Sequence, residues 1–293
     1  MSPSKMDVEI ASQPACWRRA AALAPVVADR LPASGERVAV VGCGTSWFIA
    51  QSYAALRESV GHGHTDAFAA SEFPMGRRYD RVVAITRSGT TTEIHRLFAG
   101  LDEGTSRIAI TGVPGAIGQA ADVVVDLSFC DEDSVVQTRF ATSVLALLRA
   151  QLGHDLVRAV SDAERVLATP VDEVVRTASQ FTFLGTGWTV GIANEAALKL
   201  REAARCWTES YPALEYRHGP ISIAEPGRVT WVFGEPPVGL SEEVTGAGAS
   251  VIDDDLDPLA DLVRVHRLAG VLAADRGLDP DAPRNLTRSV VLS

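Results

Sequence analysis

At 293 residues, 46% of them hydrophobic, the chain can bury the core of one large domain or two ordinary ones. Its formal net charge of −10 argues against nucleic acid or an anionic membrane surface as a main partner, since both select a basic footprint. Cys16, Cys43, Cys130 and Cys206 are scattered without a CxxC pair, so neither a zinc site nor a disulfide framework is expected. "MSPSKMDVEI" has no apolar leader and no run reaches a membrane span, so the expected home is a reducing cytoplasm.

Short Val/Ile-rich runs alternate with longer Ala/Leu-rich stretches, the pattern of parallel strands joined by helices. In chain order, the expected strands cover 37–42, 81–86, 107–111, 123–127, 180–185, 229–233 and about 248–252. Helical spacing predicts helices from Thr138 to Ala150 and from Val190 to Glu209. "VVGCGTSWFIA" (40–50) matches "FLGTGWTVGIA" (183–193), 143 residues further on, and each reads as a strand, a G-x-G turn and a helix start. Two similar α/β subdomains are therefore expected, joined around residues 151–180. The expected division is an N-terminal helical segment (1–24), a first subdomain (25–155), a second (156–280) and a turn-rich tail (281–293) that closes over a site.

Gly42-Cys43-Gly44 begins like a dinucleotide fingerprint, but Trp47 stands where its third glycine belongs. A tight strand-to-helix turn explains the pair, and its second copy at Gly185 and Gly187, without a nicotinamide or flavin; no cofactor is expected. Thr45 and Ser46 offer hydroxyls beside the first turn, and Thr86, Ser88 and Thr91 offer three more beside another. Any one of these is ordinarily an N-cap. Together, at the carboxyl ends of neighbouring parallel strands, they form an expected cradle for a phosphate, since helix N-termini add N–H groups and positive dipole ends. No P-loop lysine accompanies them, so the phosphate is a handle and not the reacting group.

In "NEAALKLREA" (194–203), Glu195, Lys199 and Glu202 stand at i, i+4 and i+7 on one helix face. An exposed ion-paired face and a base with its cation fit this spacing equally well. His218 in "YRHGPIS" is followed by Gly-Pro, a rigid turn that can position an imidazole. His62 and His64 have no third ligand in sight and read as surface residues; no metal site is expected.

Taken in order, "CGTS" (43–46), "SGTT" (88–91), "NEAALKLRE" (194–202), "EYRHGP" (215–220) and "PRNLTRSV" (283–290) resemble the sugar isomerase (SIS) domain family. The resemblance is to the isomerase half of glucosamine-6-phosphate synthase and to related sugar-phosphate deaminases. It implies an α/β fold of two SIS subdomains, each a parallel sheet with helices on both faces in a three-layer, flavodoxin-like arrangement. By resemblance, Ser46, Thr86, Ser88 and Thr91, with Thr45 nearby, hold a sugar 6-phosphate, and Arg87 replaces a glutamine. Glu202 falls on the proton-shuttling carboxylate, Lys199 on its lysine and Glu195 on a further carboxylate. His218 falls on a ring-opening histidine that the family supplies from a neighbouring subunit, so a homodimer or higher assembly is expected.

Two departures shape the expected chemistry. No glutaminase segment is present, so a complete glutamine-dependent synthase is not expected, and Arg288 replaces the lysine that forms an imine with the ketose. A guanidinium stays protonated and cannot be that nucleophile. What remains is removal of the C2 proton by Glu202 from a ring-opened hexosamine 6-phosphate, with Lys199 or Arg288 steadying the enolate. β-Elimination of water from N-acetylglucosamine 6-phosphate is placed narrowly first, ahead of isomerising deamination or aldose–ketose isomerisation, with a non-catalytic sugar-phosphate sensor as a third reading.

Overall fold

The chain opens with two helices, α1 (Lys5–Ala11) and α2 (Gln13–Leu23). The structure, a computed structural model, describes residues 3–292. Two compact units divide these residues. One holds residues up to 14, 134–136 and 157–286; the other holds 15–133, 137–156 and those from 287 on.

The second of these units is built on β1 (Val38–Gly42), α3 (Thr45–Ser59), β2 (Thr65–Ala69), β3 (Arg81–Thr86) and α4 (Thr92–Gly100). It continues through β4 (Ser106–Thr111), α5 (Pro114–Ile117), β5 (Val123–Asp126) and α6 (Arg139–Gln151). Its five strands are all parallel in the order β2-β1-β3-β4-β5. Every residue of β1 is buried, as befits a central strand covered on both faces. Ile94, Leu97 and Phe98 of α4 recur at i, i+3 and i+4 and pack on one face against Val82, Ala84 and Ala109. The edge beside β2 is pinned by Arg57 of α3, whose guanidinium donates to Thr65 Oγ1 (2.7 Å) and to the carbonyls of Ala33, Glu36 and Gly63.

The other unit follows as α7 (Val157–Ala168), α8 (Glu173–Arg176), β6 (Gln180–Gly185), α9 (Thr189–Ala204) and β7 (Thr208–Pro212). It closes with β8 (Arg228–Phe233), α10 (Leu240–Gly246), β9 (Ser250–Ile252) and α11 (Pro258–Asp275). Its sheet is again parallel, in the order β7-β6-β8-β9. Leu240 and Val244 of α10 pack with Leu184 and Val232 on one face, while α9 packs on α11 and α11 on α7. This is the α/β architecture expected from the alternating pattern, and the strand order of one sheet repeats that of the other with its last strand missing.

Three expectations need correction. Edge strands β2 ("TDAFA") and β7 ("TESYP") were not anticipated, because their half-exposed polar residues lack the Val/Ile run that marks a buried strand. The last strand begins at Ser250, two residues later than expected. The long helix stops at Ala204 and not at Glu209: Arg205 takes a left-handed conformation (φ 53°), its N–H bonds Arg201 O, and the chain turns into β7.

Candidate active site

In each sheet the order reverses beside the first strand, β1 or β6, which places a crevice at its carboxyl end. The strand-to-helix turns there require glycine. A Cβ on Gly42 would overlap the Ser46 backbone and one on Gly185 the Thr189 backbone, so strand and helix start touch directly. That contact accounts for the first glycine of each pair and the positive φ of Gly44 (54°) and Gly187 (59°) for the second, so the repeated G-x-G needs no dinucleotide.

At the carboxyl ends of β1 and β3, Ser46, Thr86, Arg87, Ser88, Thr91 and Arg288 line one small pocket. Thr45 starts α3 beside it, buried, without lining it. Thr91 occupies the N-cap position of α4 but makes no side-chain cap bond, and the buried Thr86 Oγ1 has no hydrogen-bond partner among the described residues. Both hydroxyls are thus available to a ligand. The tail lies over this loop. Arg87 donates to Arg288 O (2.6 Å), Ser88 Oγ to Ser289 Oγ (3.1 Å), and Thr92 N–H to Val290 O (3.2 Å). With the tail so placed, about 30 Å³ of space remains, room for about one water. Arg288 Nη2 donates to both carboxylate oxygens of Asp131 (2.6 and 2.7 Å) and Nε to Glu132 O (3.0 Å), so the guanidinium anchors the tail within this unit.

In the other unit, α9 brings Glu195, Lys199 and Glu202 together. The side chains of Glu195 and Lys199 are fully buried and 3.5 Å apart, and the ammonium also contacts the Glu202 carboxylate, which is 19% exposed. The spacing therefore builds a buried lysine between two carboxylates, only one of which reaches solvent. Glu202 opens onto a pocket of about 370 Å³ that Arg201, Arg205, Arg284 and Asn285 also line.

Sequence reasoning missed His266 of α11, which is fully buried, and Gln13, whose amide nitrogen lies 3.3 Å from His266 Nδ1. An amide nitrogen only donates, so Nδ1 accepts and the ring proton sits on Nε2. Burial first, and the Lys199 charge second, push the pKa of this imidazole well below its ordinary value, leaving a neutral wall toward the lysine. No spacing signal ties His266 to Lys199, because the pairing arises from the packing of α11 on α9. His218 stands elsewhere in this unit, exposed at the end of the turn Glu215–His218, before Gly219 at φ 141°.

These features can be set beside known proteins. A family model described as the SIS domain matches residues 33–150. The glutamine–fructose-6-phosphate aminotransferase, isomerizing, of Pyrobaculum aerophilum is 31% identical over 99% of this chain and 58% of its own length. The chain spans little more than half the length of the curated relatives it matches. Among solved structures, a glucosamine-6-phosphate deaminase from Thermotoga maritima aligns with a TM-score of 0.79 at 24% identity, covering 99% of this chain and 100% of that one. A tagatose-6-phosphate ketose/aldose isomerase from Escherichia coli aligns at 0.76 and 17% identity, covering 99% and 97%. Residues 33–150 thus match the SIS-domain family, and the likeness of nearly the whole chain to that relative, with two parallel sheets of corresponding strand order, bears out the resemblance to SIS-domain proteins.

Proposed function

We propose that the chain is a sugar-phosphate enzyme that removes the C2 proton of a ring-opened hexose or hexosamine 6-phosphate. The observation that carries this is the fully buried Glu195 holding Lys199 against Glu202, the one carboxylate of the two that solvent and substrate can reach. Glu202 takes the proton, the C2–H electron pair moves toward C1, and the carbonyl oxygen takes the charge of the enolate. The ammonium of Lys199 stays beside Glu202 and offsets charge as the carboxylate gives up its proton again. In the other unit, the hydroxyls of Ser46, Thr86, Ser88 and Thr91 and the Arg87 guanidinium are the groups suited to a phosphate, with Thr45 at the same turn.

Return of the proton to C1 gives the ketose. With a free 2-amino group the same shift gives an imine, and water then cleaves it to ketose and ammonia. This shift is taken as the main route, because the relative is an isomerizing aminotransferase and the two structural neighbours are a deaminase and a ketose/aldose isomerase. Elimination of the C3 hydroxyl from an N-acetylated substrate, placed first on sequence, shares the same base and has no observation of its own in its favour. Isothermal titration of Glu202→Gln with glucosamine 6-phosphate, alongside turnover, tests the reading. Binding close to wild type with turnover down about 1,000-fold or more is expected for loss of a general base. Undiminished turnover would contradict it, and a wild-type protein that binds without turning over is a sensor.

A further inference from the structure

Among the described residues, two non-glycine positions have a left-handed backbone, Arg205 (φ 53°) and Asn285 (φ 64°). They lie eighty residues apart in sequence, and both line the pocket onto which Glu202 opens. Arg205 takes this conformation as the cap of α9 and Asn285 adopts it readily, so what sets the two apart is that both turns present their side chains to one pocket. A glycine would relieve each position, yet each carries a side chain able to donate hydrogen bonds.

Charge points the same way. Arg201, Arg205 and Arg284 stand around a single pocket carboxylate in a protein of net charge −10. Arg201 is committed to Thr208, donating to its carbonyl (3.1 Å) and hydroxyl (3.2 Å). Beyond the backbone bond from Arg205 N–H to Arg201 O, neither the Arg205 nor the Arg284 guanidinium has a hydrogen bond or ion pair among the described residues. Arg288, one of two cations assigned to the enolate on sequence, is meanwhile tied to Asp131. At about 370 Å³ the pocket falls in the range of small-molecule sites.

We infer that Arg205, Arg284 and Asn285 bind the oxygen anion that develops at C1 when Glu202 removes the C2 proton. The inference rests on the proton-abstraction reading and adds the groups that receive the charge. No bond to protein forms: the electron pair leaves the C2–H bond, passes to the carbonyl oxygen and returns to carbon on reprotonation, while the guanidinium and amide N–H groups donate to that oxygen. Donors aimed at a developing charge bind the enolate more tightly than the neutral aldehyde, and so raise turnover more than substrate affinity.

Gluconate 6-phosphate is the probe, since its C1 carboxylate holds permanently the charge that the enolate holds briefly. Its affinity is measured by titration beside that of inorganic phosphate for wild type, Arg205→Gly, Arg205→Lys and Arg284→Gln. Glycine is at ease at φ 53°, so Arg205→Gly removes the guanidinium while relieving the backbone, and a thermal melt verifies its fold. Gluconate 6-phosphate binding should weaken at least about 10-fold in Arg205→Gly and Arg284→Gln, recover in part in Arg205→Lys, and leave phosphate binding unchanged. Deuterium exchange at C2 of a hexosamine 6-phosphate should fall about 100-fold, in line with loss of one oxyanion donor. Gluconate 6-phosphate affinity that ignores both arginines overturns the inference even if wild type exchanges the C2 proton. Arginine-dependent gluconate 6-phosphate binding without any exchange supports the anion site and counts against the proton-abstraction reading instead.

Discussion

A methyl group at Gly42 or Gly185 would fall on backbone that is already there. Alanine at either position should therefore destabilise its unit by about 1–3 kcal/mol through overpacking, seen as a lower denaturation midpoint. Gly104, with open space around it, should accept alanine without loss. Lys199 poses the opposite problem. Lys199→Met would strand the Glu195 charge in a fully buried site, at a cost of about 3–5 kcal/mol, whereas Glu202→Gln, at a partly exposed carboxylate, should melt near wild type. A Lys199→Met protein with the wild-type midpoint would mean that the ion pair is not the constraint described. The alignment of Glu195, Lys199 and Glu202 on one face was legible from their spacing. Their depth was not, because an exposed ion-paired face has the same periodicity.

Elements show where local pattern runs out. Helix α9 is Ala/Leu-rich up to Ala204 and was expected to run on to Glu209, but it stops where Arg205 turns left-handed and Thr208–Pro212 pairs with β6 as a strand. Strands β2 and β7 are short edge strands without a β-branched apolar run, and so lack the signature of a buried strand. Helix α11 holds a group whose charge depends on its surroundings. Asp261 is fully buried, accepts from Trp231 Nε1 (2.7 Å) and lies 3.6 Å from Arg264, and desolvation raises its pKa to about 7. The folded chain keeps this proton up to about pH 7, whereas the unfolded chain loses it near pH 4. Stability from this group is present below that lower value and is lost as pH rises through about 7. In Asp261→Asn the amide oxygen still accepts from Trp231 but no charge is buried. The melting temperature of the variant relative to wild type should thus climb between pH 4 and 7 and level off above. A difference that is flat with pH would place the carboxylate in an ordinary environment.

The molecule as a whole repeats one plan, and the repeat was visible in the sequence as an eleven-residue likeness around two shared glycines, because the glycine contact leaves little freedom at each strand-to-helix turn. The assignment of terminal segments to units was not visible. Residues up to 14 join the unit of 157–286, and residues from 287 on join the other, through tertiary hydrogen bonds such as Lys5 N–H to Asp281 (2.7 Å) and Thr92 N–H to Val290 O (3.2 Å). His218 is exposed, and the family expectation supplies this residue from a neighbouring subunit. Mixing Glu202→Gln with His218→Asn subunits under conditions that allow exchange should then restore part of the activity that each lacks alone, since one site of a mixed dimer has both residues. Mixtures no more active than their parents would confine His218 and Glu202 to one subunit.

The central claim, that Glu202 removes a C2 proton, is tested most directly by a proton NMR time course in D₂O. Glucosamine 6-phosphate and its N-acetyl form are each incubated with wild type and with Glu202→Gln. The account predicts loss of the C2 proton signal with wild type, accompanied by ketose signals and ammonia from the free amine, and no loss with the variant. A vinylic C3 signal from the N-acetyl sugar alone would keep the base and change the fate to elimination. An intact C2 proton in both sugars with wild type, or equal loss with the variant, would contradict the account.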